Sequence, residues 1–138
     1  MIEFLMVSGA PTPVAPFSDV VTSDGCLFVT GQVPTDPNDD AAPLQDGIEA
    51  QTRRVSENLK CVLAGVGSGL HRVVYARVYL THFERDYAAM NAVYQSYFVP
   101  RHLPAHLYFS EFPRKRHPRR SIGVGSGRRQ LLLNLPLS

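Results

Sequence analysis

From position 48 onward the spacing of apolar residues changes. Ile48, Val55, Leu59, Val62 and Leu63 fall at offsets 0, 7, 11, 14 and 15, which places all five on one face of an α-helix. Glu49, Arg53, Arg54, Glu57 and Lys60 occupy the other face as a solvated stripe. A strand cannot hold this set on one side, because its side chains alternate with a period of two. Gly65-Val66-Gly67-Ser68-Gly69 then ends the helix, as glycine does at helix C-termini. A helix with one apolar face needs an apolar surface to lie on, and the flanking segments supply it.

Those flanks read as strands. Ile2 to Val7 is short and largely apolar, and Gly9 to Pro16 is a proline-rich extended connection. Phe17 to Thr22 alternates weakly, Ser23-Asp24-Gly25 is a turn signal, and Cys26 to Val33 follows as a strand, so residues 17–33 predict a hairpin. Pro34 to Pro43, rich in Pro, Asp and Asn, is a surface loop. Beyond the helix, Val73 to Thr81 is β-branched and aromatic, a strong strand. Arg85 to Phe98 returns to helical spacing through Tyr87, Met90, Tyr94 and Tyr97. Ala105 to Ser110 is a further strand candidate, and Leu131 to Leu137 is apolar. The order predicts an α+β protein.

At 138 residues, with 44% hydrophobic and 19% charged residues, the chain is sized for a single domain, 1–138, with one real core. No apolar run approaches the roughly 18 residues that span a bilayer. The first residues lack the basic region of a signal peptide, so residence in the cytoplasm is the expectation, with no membrane partner. Cys26 and Cys61 sit on different predicted elements without CxxC spacing. They read as buried small hydrophobes, with a reactive thiol as the alternative, and neither a disulfide scaffold nor a metal site is expected.

The net charge of +2 conceals a reversal. Residues 1–100 carry six Lys/Arg against eleven Asp/Glu, a balance of −5; residues 101–138 carry eight against one, a balance of +7. The basic residues between Arg114 and Arg129 would attract polyanions weakly and without sequence preference. P-loop, dinucleotide-fingerprint and HExxH patterns are absent.

Four segments, in order, carry a family resemblance: Pro16-Phe17-Ser18-Asp19-Val20-Val21; Leu27-Phe28-Val29-Thr30-Gly31-Gln32-Val33-Pro34; Gln51 to Leu59; and Val73 to Thr81 followed by Tyr87 to Phe98. Together they resemble the RidA/YjgF reactive-intermediate deaminases over about residues 10–100. The resemblance implies a chorismate-mutase-like, antiparallel-rich sheet packed by two helices, assembled as a homotrimer with clefts between subunits. It also implies hydrolysis of 2-imino and 2-enamino acids such as 2-aminoacrylate to keto acids and ammonia, with no cofactor. Within that implied site, Gly31 brings backbone close to the substrate, Phe17 stands where the family often has tyrosine, and Asn91 matches its second-helix asparagine. Alternatively, Gly31 relieves a bulge, Phe17 fills core and Asn91 bonds backbone.

The remaining third of the chain departs from the pattern. The family's carboxylate-gripping arginine follows Pro-Ala, and two segments compete for that place. Leu103-Pro104-Ala105-His106 has the expected spacing from Asn91 but offers His106, which lacks the planar fork of a guanidinium. Pro118-Arg119-Arg120-Ser121-Ile122 offers Arg120 as clamp and Ile122 as a substrate contact, about a dozen positions later, and requires an insertion of roughly residues 99–109. The family's glutamate on the final strand has no match in Arg128 to Leu135, and no acid follows Glu111. A shifted reading frame and natural divergence account equally for these departures. The residues therefore support three functions: an imine deaminase, weakened or lost; a non-catalytic trimer that binds small metabolites; and an RNA-binding or ribonuclease-type protein.

Overall fold

The first hairpin is set by its turn. In the computed structural model, which describes residues 1–13, 16–98, 105–109 and 131–136, Asp24 and Gly25 both take positive φ, 49° and 75°. That is the type I′ geometry whose twist matches the strands it joins, and Asp-Gly is a preferred pair for it. It connects β2 (Val20–Ser23) to β3 (Cys26–Gln32) in antiparallel register, Val20 opposite Val29 and Ser23 opposite Cys26. A short β1 (Glu3–Leu5) pairs on the outer side of β2. The buried Asp19 carboxylate accepts the Val7 N–H at 2.7 Å, which ties the chain leaving β1 to the start of β2. Strand β2 begins at Val20 rather than at Phe17; Phe17 precedes the strand and is 52% exposed, so it does not fill core.

Helix α1 runs Ile48–Gly65. It ends as the glycine cluster predicts: the Ser68 N–H donates to the Leu63 carbonyl at 2.8 Å and the Gly67 N–H to Ala64 at 3.0 Å, a Schellman pair that satisfies otherwise orphaned carbonyls. A 3-10 turn at Leu70–Arg72 leads into β4 (Tyr75–Leu80), and α2 follows over Phe83–Tyr97. Strands β5 (Ala105–Phe109) and β6 (Leu131–Pro136) complete a six-stranded sheet in the order β1-β2-β3-β6-β4-β5. Every neighbouring pair is antiparallel except β4 with β5. The architecture is α+β, two helices on an antiparallel-rich sheet, as expected.

Burial alternates along the strands as one covered face requires. Leu27 and Val29 on β3, and Ala76, Val78 and Leu80 on β4, are buried with Val55, Leu59, Val62 and Leu63 of α1 and Met90 of α2. The buried side of α1 is wider than its apolar stripe, because Gln51, Thr52, Ser56 and Asn58 are buried too. Cys26 and Cys61 are half-buried rather than buried; the Cys61 thiol lies 3.4 Å from the Gly9 carbonyl. Among the described residues no helix is long and apolar enough to cross a membrane.

Candidate functional site

Strand β3 loses its regular pairing near its end. Its partners on β6 run from Cys26–Pro136 to Val29–Leu133 and resume at Gln32–Leu131. Three steps on β3 thus answer two on β6, so one extra residue is accommodated at Thr30-Gly31 as a bulge. Gly31 is not among the glycines with positive φ; it stands where the ladder opens, as its bulge-relieving role requires. Several bonds hold this opening. The Thr30 N–H donates to the Asp19 carbonyl at 3.0 Å and the Thr30 hydroxyl donates to the Ser18 carbonyl. The Gln32 side-chain amide donates back to the Thr30 carbonyl at 2.9 Å. Phe17 precedes Ser18 in sequence, so the hairpin brings Phe17 and Gly31 to the same end of the sheet.

The same end continues across the sheet. Leu131 of β6 lies opposite Gln32, the next residue Leu132 lies opposite Arg77 of β4, and Arg77 lies opposite His106 of β5. A row therefore crosses four strands from the Gly31 bulge to His106. With strands about 4.8 Å apart, three steps separate β3 from β5 by roughly 14 Å. A three- or four-carbon acid cannot touch both ends within one subunit. Arg77 was not singled out from sequence. It alternates with the buried Ala76 and Val78, so it projects from the face the helices leave uncovered. Its Nε donates to the Tyr75 hydroxyl at 3.1 Å, with the guanidinium 5.6 Å from that ring's centre. A cation in an otherwise alternating apolar strand was the available signal.

Asn91 is half-buried on α2. Arg120, Ile122 and the basic run from Arg114 to Arg129 lie outside the described residues, and of His106 only the backbone position is described. The competing register for Arg120 needs residues 99–109 as an insertion, whereas 105–109 form a strand of the sheet. The final strand, where the family carries its glutamate, reads Leu-Leu-Leu-Asn-Leu-Pro over Leu131–Pro136.

The perturbed side chains are elsewhere. Burial raises the Tyr94 phenol to about 12. Burial, and then its hydrogen bond to the Glu57 carboxylate at 3.0 Å, raises Tyr97. Both belong to α2. Among the described residues no group of three or more His, Cys, Asp or Glu gathers as a metal site would.

The family model described as endoribonuclease L-PSP matches residues 7–110. A RutC family protein of Pyrococcus horikoshii is 39% identical over 98 residues, 71% of this chain and 76% of that protein. This chain belongs to the RidA/YjgF family. Another of its relatives, the 3-aminoacrylate deaminase RutC of Acinetobacter baylyi, is 36% identical over 103 residues, 75% of this chain and 79% of that one. A crystal structure of a putative endoribonuclease from Thermotoga maritima superposes with a TM-score of 0.81 at 28% identity, covering 100% of this chain and 99% of that one. The family match runs through β5, so Pro104-Ala105-His106 lies inside it and Pro118-Arg119-Arg120-Ser121 lies beyond it.

Proposed function

We propose that this protein hydrolyses 2-imino and 2-enamino acids of the 2-aminoacrylate type to 2-keto acids and ammonia, weakly, as a homotrimer without a cofactor. The observation that carries the reading is the identity shared with a 3-aminoacrylate deaminase across three-quarters of this chain; the family match over residues 7–110 includes the Gly31 bulge. In the reaction, water adds to the imine carbon. The resulting carbinolamine then expels ammonia as its C–N bond breaks and the carbonyl forms. The chain must grip the substrate carboxylate and orient the water. The open backbone at Gly31, flanked by Phe17, is one wall of that cleft, with Asn91 a further contact. His106 or Arg120 is the carboxylate clamp.

Trimer formation fits two features. The Gly31 and His106 positions are too far apart to serve one small substrate in one subunit, so a cleft uniting such elements draws on two. The uncovered sheet face is also apolar: Phe4, 70% exposed, Val21 and Phe28, 43% exposed, stand in register across β1, β2 and β3, a patch that association would cover.

The reading is tested by generating 2-aminoacrylate in situ and following its loss against the uncatalysed rate. If Arg120 is the clamp, Arg120→Ala leaves the substrate carboxylate unpaired, a loss of about 2–4 kcal/mol, and lowers kcat/KM by roughly 30- to 1,000-fold. His106→Ala then does little. The opposite pattern assigns the clamp to His106. A second reading, a metabolite-binding trimer without catalysis, is favoured by the absence of any acid from Leu131–Pro136. Binding of a 2-keto acid without turnover of any imino acid would establish it.

A further inference from the structure

Asn58 is 1% exposed on the buried side of α1, yet it does not serve its own helix. Its side-chain amide nitrogen donates to the Val33 carbonyl at 3.1 Å and to the Thr35 carbonyl at 2.9 Å. Both hydrogens of that amide thus go to the segment by which the chain leaves the Gly31 bulge. The neighbouring buried polar residues differ: the Ser56 hydroxyl donates to the Thr52 carbonyl and the Thr52 hydroxyl to the Ile48 carbonyl, bonds internal to α1. Between Val33 and Thr35 stands Pro34, which has no N–H to give. The segment's remaining described bond, Thr35 N–H to the Val33 carbonyl at 2.8 Å, is internal to it. Among the described hydrogen bonds, Asn58 alone ties this exit to a helix.

The side chain also carries a cost. Its Oδ1 is buried without a hydrogen-bond partner among the described atoms, and an unmade bond at a buried acceptor offsets much of what two donated bonds contribute. Stability by itself gives a weak reason for asparagine here, whereas placement gives a strong one. A bulge residue lacks ladder bonds to hold its peptide plane. Gly31 is pinned upstream through Thr30 to Ser18 and Asp19; downstream, Gln32 donates back to the Thr30 carbonyl and pairs with Leu131, and the Asn58 anchor two residues on is what fastens the exit to α1.

We propose that Asn58 is a positioning residue: it sets the orientation of the Gly31 peptide and thereby the affinity of the cleft for the carboxylate of a 2-keto or 2-imino acid. The proposal rests on the cleft assigned above. It does not make Asn58 catalytic, since the side chain is sealed from solvent and reaches the cleft only through the backbone of Val33 and Thr35.

The test uses the full chain and two readouts: the NMR order parameter of the Gly31 amide, and the dissociation constant for 2-oxobutanoate. Asn58→Leu keeps the volume and removes both donors. Ser56→Ala is the control for loss of a buried polar group on the same helix. For Asn58→Leu the Gly31 order parameter is expected to fall from about 0.85 to below about 0.6, with 2-oxobutanoate binding about 10- to 100-fold weaker. Ser56→Ala leaves both within about twofold, whatever its melting temperature. Asn58→Ser, which retains one donor, gives intermediate values and replaces the leucine variant if that fails to fold. An unchanged Gly31 order parameter in the Asn58 variants overturns the proposal, whether or not affinity changes. If the unmutated chain does not bind 2-oxobutanoate, the cleft assignment fails, while the order parameter still decides whether Asn58 positions Gly31.

Discussion

The two faces of the sheet are made by the same strands and differ in what finishes them. On one, Leu27, Val29, Ala76, Val78 and Leu80 are sealed by α1 and α2. On the other, Phe28 sits one residue from Leu27 and Tyr75 one residue from Ala76, and Phe28 and Phe4 remain exposed. A strand that faced water would carry polar residues at those alternate positions. The contrast teaches that the chain completes one face with its own helices and leaves apolar residues exposed on the second, the face that the proposed trimer would cover. The Gly31 row reaches Arg77 on that uncovered side, so under the proposed trimer it would belong to the assembly as much as to the subunit.

Adjacent residues on β3 offer the sharpest way to break this comparison. Leu27→Ala removes a fully buried side chain and should lower unfolding free energy by about 2–5 kcal/mol, read by denaturant titration of variant and parent at one matched protein concentration. Phe28→Asp should leave far-UV circular dichroism unchanged and shift the light-scattering mass from near three chains to near one. If Phe28→Asp leaves the mass unaltered, the uncovered face is not where copies meet.

A smaller effect probes how tightly the covered side is packed. A Cβ at Gly65 would lie 2.3 Å from Val7 Cγ1, and Val7 cannot retreat freely because its N–H is held by Asp19 at 2.7 Å. Gly65→Ala should therefore cost about 1–3 kcal/mol, although alanine is the better helix former. Val7→Ala in the same chain should recover part of the loss. A Gly65→Ala chain as stable as the parent would show that this end of the helix layer tolerates movement.

The smallest effect is a pH dependence. Tyr94 packs against Phe98 with ring centres 4.5 Å apart, and burial raises its phenol from the ordinary 10.0 to about 12. The neutral form is protonated, so between those values the folded chain keeps a proton that the unfolded chain has lost. The stability linked to Tyr94 is therefore fully present below pH 10 and is lost as pH rises through about 12. Two units correspond to at most about 2.7 kcal/mol, and about 1 kcal/mol once the water still reaching the ring is allowed for. Tyr94→Phe should flatten this part of the alkaline limb and change little at pH 7, because the Tyr94 hydroxyl has no hydrogen-bond partner among the described atoms. An unchanged alkaline limb in Tyr94→Phe would mean that the phenol is solvated in the folded chain.

Much of this architecture was legible from local chemistry. Asp24-Gly25 specified the hairpin because both residues tolerate positive φ. The spacing from Ile48 to Leu63 specified α1, and the alternation from Tyr75 to Leu80 specified β4. These are short-range rules, in which a residue and its neighbours within one or two turns decide the outcome. The four resembling segments likewise carried the family, because their order and spacing are properties of the chain as written.

Only the tertiary structure decided the rest. Asn58 reads in sequence as one polar position on a helix; that it reaches Val33 and Thr35 depends on how α1 lies over the end of β3. Arg77 became a candidate because β5 runs parallel to β4 and sets His106 opposite it. The bulge at Thr30-Gly31 depends on β6, a strand about a hundred residues later in the chain. In each case the deciding partner is distant in sequence. Such contacts form only after the chain has closed long loops, and no local preference encodes which distant groups they will bring together.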